Sequence, residues 1–113
     1  MAKNTSKTVD QYLGGFLREH RSDGTRRAYE QAVRDFLGYA EVKSLDDLDA
    51  LDRDWAVEYR NHLAERQKRA KTYVNRQLSA LRGFFRWLLA EEAIEKSPFD
   101  LVRGYKVSSE SRT

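Results

Sequence analysis

A single apolar stripe between Lys71 and Glu92 decides what this chain folds into. Val74, Leu78, Leu81, Phe85 and Leu88 recur three and four residues apart, the spacing that sets side chains on one face of an α-helix. Phe84 and Trp87 widen that face. At about 100° per residue, Thr72, Asn75, Arg76, Ser79, Arg82, Gly83 and Arg86 fall on a different, largely opposite side. The only proline, Pro98, lies beyond this stretch. A chain so poor in proline, with scattered glycines, favours long uninterrupted helices over strands and tight turns.

Three further helices follow from the same periodicity. Val9, Tyr12, Leu13, Phe16 and Leu17 form a first stripe, opened by Thr8 and Gln11 at capping-box spacing. Tyr29, Ala32, Val33, Phe36, Leu37 and Ala40 form a second, with Ser22 or Asp23 as its N-cap. From Val42 to Leu51, Leu45, Leu48 and Leu51 alternate with acids, which predicts a loop with a short turn that packs its leucines inward. Asp52 or Asp54 then caps a helix carrying Trp55, Ala56, Tyr59 and Leu63. The Ser97-Pro98 pair is expected to stop the last long helix, with one more turn at Leu101 to Tyr105. The expected core includes Val74, Leu78, Leu81, Phe85, Leu88, Phe36 and Trp55. The fold class is all-α: four helices and a short C-terminal turn.

Composition excludes several functions. With no cysteine, disulfides, zinc fingers and thiol chemistry are out, and two histidines are thin material for a metal site. No apolar run approaches the roughly 20 residues that span a bilayer, so a cytoplasmic protein without membrane contact is expected. At 113 residues the chain suits one domain. Residues 1–7 are expected to be a disordered tail, and a single folded domain is expected over 8–106. A linker is expected to start at 107–113.

Net charge is only +3, but the charges are sorted along the chain. Residues 41–65 hold eight acids against three bases, whereas residues 66–90 hold seven bases and no acid. A polyanion would meet one attractive and one repulsive face. The polar side of the Lys71 helix adds short hydroxyls and an amide to its arginines, the mixture that phosphate and base-edge contacts need. A merely solvated helix would interleave Glu with Lys four residues apart. Thr25, Arg26 and Arg27 open the second helix, whose N-terminal amides suit a phosphate, although a capping turn with exposed arginines reads as well. Arg18, Arg21 and Arg34 read as plain surface and His62 as a surface histidine near Arg66. Asp46, Asp47 and Asp49 lie in a loop without convergent metal geometry, and no glycine-rich phosphate loop appears. No catalytic constellation is complete, and neither a cofactor nor a metal is expected.

Three stretches carry a family resemblance: Thr25 to Phe36 (TRRAYEQAVRDF), Leu45 to Leu48, and Lys71 to Leu89 (KTYVNRQLSALRGFFRWLL), followed by Glu95-Lys96-Ser97-Pro98. They resemble the N-terminal, SAM-like core-binding domain of the tyrosine recombinases (phage integrase family, Xer type). Ser97 stands where the family's closing asparagine-proline has asparagine. The resemblance covers about Thr8 to Lys106. It implies a domain that grips a recombination half-site of double-stranded DNA with its second and fourth helices, while other surfaces meet neighbouring protomers. It also implies that cutting and rejoining through a phosphotyrosyl intermediate belong to another domain, so no tyrosine here is a nucleophile and Tyr105 lies where a linker would begin.

The expected first DNA contacts are Lys71, Thr72, Asn75, Arg76, Ser79 and Arg82, with Arg26, Arg27, Lys68 and Arg69 as secondary phosphate contacts. The isolated chain is expected to be a monomer that binds weakly. A rival reading is a helical protein-interaction module whose basic face meets an acidic partner. A helix-turn-helix regulator is disfavoured, because no compact helix pair with a short turn is evident.

Overall fold

The computed structural model describes residues 7–106. The expected tail, apart from Lys7, and the expected linker at 107–113 lie outside the described residues. Within them the elements are α1 (Val9–Leu17), α2 (Asp23–Tyr39), the short α3 (Leu45–Asp49), α4 (Arg53–Asn61), a π-helical turn (His62–Arg66) that prolongs α4, and α5 (Lys71–Ala90). No strand occurs among the described residues. The fold is all-α, four longer helices and the one-turn α3.

Helix starts follow from local hydrogen bonding. Thr8 Oγ1 accepts from the Gln11 amide at 3.1 Å while Gln11 Oε1 accepts from the Thr8 amide at 2.8 Å, so two otherwise orphaned donors are satisfied reciprocally. Ser22 Oγ accepts from the Thr25 amide, and Asp52 from the Trp55 amide. In front of α3 the Asp47 carboxylate accepts from the Lys43 and Ser44 amides at 2.7 and 3.1 Å. That turns the predicted leucine loop into a short helix, with Leu48 and Leu51 buried.

Helix ends depart from the glycine rule. Glu41, Lys68 and Glu92 occupy the left-handed region at φ 56°, 55° and 61°. After Glu41, the Val42 amide donates to Leu37 O at 2.9 Å; after Glu92, the Ala93 amide donates to Leu88 O at 2.9 Å. Both are Schellman closures built on residues with a Cβ. The expectation that Ser97-Pro98 stops the last helix is therefore corrected: α5 ends at Ala90, its last carbonyls taken up by this closure. The final turn is also earlier than Leu101 to Tyr105. It spans residues 98–101, with Ser97 Oγ accepting from the Phe99 amide at 3.2 Å. Phe99 and Val102 are buried and Leu101 is exposed.

α5 is the central element, packed against α1, α2 and the π turn. Its Val74, Leu78, Leu81, Phe84, Phe85 and Leu88 are all buried. Phe36 of α2 meets Tyr59, Phe85 and Phe99 at centroid separations of 5.0, 6.1 and 5.0 Å, all edge-on. Each such ring adds about 1.5–3 kcal/mol of burial plus a smaller geometric term. α1 docks through Phe16, which lies 5.4 Å from Phe84, and through Gly15, where a Cβ would come within 2.8 Å of the Trp87 ring. Trp55 is a correction to the expected core. It remains 38% exposed, at the edge of the buried arc of Ala56, Tyr59 and Leu63, with the Tyr39 ring edge-on to it at 6.3 Å.

Candidate nucleic-acid interface

Packing on three sides leaves α5 only a narrow exposed sector. Thr72, Arg76, Ser79 and Arg86 are exposed along it, and Gly83 is half-buried among them. They climb the helix four, three, four and three residues apart, so they form one stripe. No acid lies on this helix, so no carboxylate of α5 stands beside Arg76, whereas Arg86 pairs with Asp100 beyond the helix at 3.3 Å.

Two grooves flank the stripe and share Ser79 at its crest. On one side Ala28, Tyr29 and Gln31 of α2 face Tyr73, Arg76, Gln77 and Ala80 of α5. Small alanines on both walls keep this groove open. Gln77 Oε1 is buried there with no hydrogen-bond partner among the described residues. On the other side Ser79 and Arg82 face Arg103, Gly104, Tyr105 and Lys106.

The N-terminus of α5 differs from the others in charge. α1, α2, α3 and α4 carry an acid in the first turn, whereas α5 has none and its N-cap, Ala70, offers no side-chain cap. Lys68, Arg69 and Lys71 surround it, all exposed. Uncapped amides at the positive end of a helix dipole, ringed by cations, favour an anion. Arg69 lies over the Tyr73 ring, 4.5 Å from its centroid, which steers its guanidinium along α5.

The ten residues singled out in the sequence separate into two groups. Lys68, Arg69, Lys71, Thr72, Arg76, Ser79 and Arg27 are exposed. The other three are held by the fold. Asn75 Nδ2 donates to Tyr105 O at 2.7 Å, and Asn75 Oδ1 accepts from the Tyr105 amide at 2.7 Å. Arg82 donates to Val102 O at 2.6 Å and to Phe99 O at 3.4 Å. Arg26 donates to His20 O and to Asp23, each at 2.7 Å. For Asn75 and Arg82 the partners lie 17 to 30 residues away, a distance that leaves no trace in a helical repeat.

Other side chains read as plain surface also have structural tasks. Arg34 bridges α1 and α2 through Glu30 at 2.9 Å and Asp10 at 3.0 Å. Hydrogen bonds to Glu30 and then Asp10 raise its guanidinium above its ordinary value. His62 is half-buried rather than a surface histidine, its ring 4.9 Å from Tyr39 and 6.2 Å from Tyr59. Asp49 accepts from the Glu95 amide at 2.9 Å. Among the described residues no group of three or more His, Asp or Glu could hold a metal ion, and no helix is long and apolar enough to cross a membrane.

Comparison with known proteins decides the family. The profile described as "Phage integrase, N-terminal SAM-like domain" matches residues 9–92, which run from the start of α1 to just past the end of α5. The chain belongs to this family. It is 33% identical over 88 residues to a tyrosine recombinase XerC of Pediococcus pentosaceus, covering 77% of this chain and 29% of that relative. It is 31% identical over 98 residues to a tyrosine recombinase XerC of Halalkalibacterium halodurans, covering 82% of this chain and 32% of that relative. The chain thus spans about three-tenths of the length of these curated relatives. No solved structure matches.

Proposed function

We propose that this SAM-like domain grips double-stranded DNA as the N-terminal domain of a site-specific tyrosine recombinase. One observation carries the proposal: α5, a helix without an acid, presents a solvent-exposed stripe of Thr72, Arg76, Ser79 and Arg86. Thr72 and Ser79 supply short hydroxyls, while Gly83 turns toward Phe16 of α1. The arginines supply charge, and Lys68, Arg69 and Lys71 extend it past the helix N-terminus. Phosphate contacts of this kind fix register and orientation while carrying little sequence information. The groove with α2, lined by Arg76, would take the adjoining strand. In this reading Asn75, Arg82 and Arg26 support the surface from within.

Strand cutting and rejoining would be the work of another part of the recombinase, because this chain has no histidine-x-x-arginine motif. The proposed partners are duplex DNA and, in a recombination complex, neighbouring protomers.

Anisotropy of a labelled 30-base-pair duplex, titrated with the chain over a salt series, tests the reading. Neutralising about four phosphates gives a slope of log K against log salt near −3.6. Arg76→Ala should weaken binding on every sequence and reduce that slope by about 1. Undetectable binding at low salt, or an Arg76→Ala variant indistinguishable from the parent, would remove the basis for the proposal. A competing protein-interaction role is favoured by one observation only, the exposed Trp55 ring on α4.

A further inference from the structure

The segment after α5 does not simply leave the helical body. Residues 99–106 lie across it as a strap, and the fold invests five groups in holding them. Phe99 and Val102 are buried. Arg82 binds the carbonyls of both. Asn75 makes a two-way pair with the Tyr105 backbone, one bond to the amide and one to the carbonyl. Arg60 donates to Arg103 O at 3.1 Å and lies over the Tyr105 ring, 5.3 Å from its centroid. The Tyr105 hydroxyl donates to Asn61 Oδ1 at 3.1 Å. Gly104 completes the fit, because a Cβ there would overlap Asn75 Oδ1. That oxygen cannot yield cheaply while it accepts from Tyr105.

The strap's cations end beside the α5 stripe. Arg103 and Lys106 are exposed and line the same groove as Ser79 and Arg82. Among the described residues no carboxylate pairs with either of them. Asp100, the one acid in residues 99–106, is paired with Arg86 at 3.3 Å. The polar side of α5 has thus given Asn75 and Arg82 to backbone contacts and gained two cations in their place.

We infer that the strap is the second wall of the DNA-binding surface: Arg103 and Lys106 contact phosphate, and Asn75 with Arg82 and Gly104 are positioning residues that hold them there. The inference rests on the DNA-binding reading and adds residues that the helical pattern does not contain. Asn75 acts on DNA only through the strap.

A mutant cycle on the full chain tests this, with duplex affinity over a salt series and amide hydrogen exchange at Tyr105 as readouts. R103A/K106A should reduce the salt slope by about 1.8, two phosphate contacts' worth. N75A should unprotect the Tyr105 amide and produce a comparable loss of slope in the parent. In the R103A/K106A background it should produce none, because partners in one device are not additive. G104A reaches the same result without touching α5, so it stands in if N75A folds poorly. The inference alone is overturned if the parent binds and R103A/K106A binds equally well. It is also overturned if N75A weakens binding by the same factor in both backgrounds, which would put Asn75 on the DNA itself. A parent that binds no duplex at low salt removes the DNA reading and this inference together.

Discussion

Phe36 and Trp55 are both large aromatics on apolar stripes, yet they lie at opposite ends of the burial scale. Phe36 is fully enclosed and touches rings from α4, α5 and the strap. Phe36→Ala removes about 3–5 kcal/mol from unfolding free energy, because the rigid rings around it cannot collapse into the space. Trp55→Ala removes less than about 1 kcal/mol, since over a third of the ring is already in water. Urea titrations of the two variants, followed by far-UV circular dichroism, read the contrast directly. The periodic pattern placed Phe36 correctly because its neighbours at 32 and 33 share its arc. It misplaced Trp55, which stands in the first turn of α4 at the margin of that helix's arc. Asn75 and Arg82 raise the same difficulty in polar form: a helical wheel shows which side they are on, not whether a distant carbonyl has claimed them.

At the scale of the element, starts were more legible than ends. Thr8, Ser22 and Asp52 cap through bonds to amides three residues on, so the information lies within one turn of sequence. The ends of α2 and α5 use Glu41 and Glu92 in a left-handed conformation, where side chains with a Cβ carry a steric penalty that glycine does not. Neither residue announces a stop. Glu92→Gly should therefore stabilise the chain by up to about 1 kcal/mol, seen as a rise in thermal midpoint with no loss of helical signal. A fall in midpoint would mean that the Glu92 side chain contributes more than its backbone strain costs. Gly15 and Gly104 are the converse case. Both look like weak points in a helix or a tail, and both are required because another side chain comes within contact distance.

For the whole molecule, the all-α class and the position of the basic helix could be read from periodicity and charge sorting. The width of the exposed surface could not, because the strap that narrows it is set by contacts spanning up to 44 residues. One global property follows from burial. The Tyr59 hydroxyl sits on a ring that is 2% exposed, and desolvation raises its pKa above the ordinary 10.0, with Asp35 adding repulsion. The folded state therefore keeps its proton where the unfolded state loses it. This contribution is intact below pH 10 and is lost as pH rises toward the folded value, at about 1.4 kcal/mol per pH unit. Tyr59→Phe should flatten the stability profile above pH 10 relative to the parent. Equal alkaline slopes for the two would show that Tyr59 does not ionise against the fold.

The close seat of α1 on α5 has an optical consequence. The chain contains two tryptophans. Trp87 lies over Gly15, with Tyr12 and Phe16 each 6.1 Å away, while Trp55 stands partly in solvent on α4. With Trp55 replaced by phenylalanine, the emission of the remaining indole becomes a gauge of one contact. It would report, in real time and without a label, whether the first helix stays docked while the rest of the bundle is occupied.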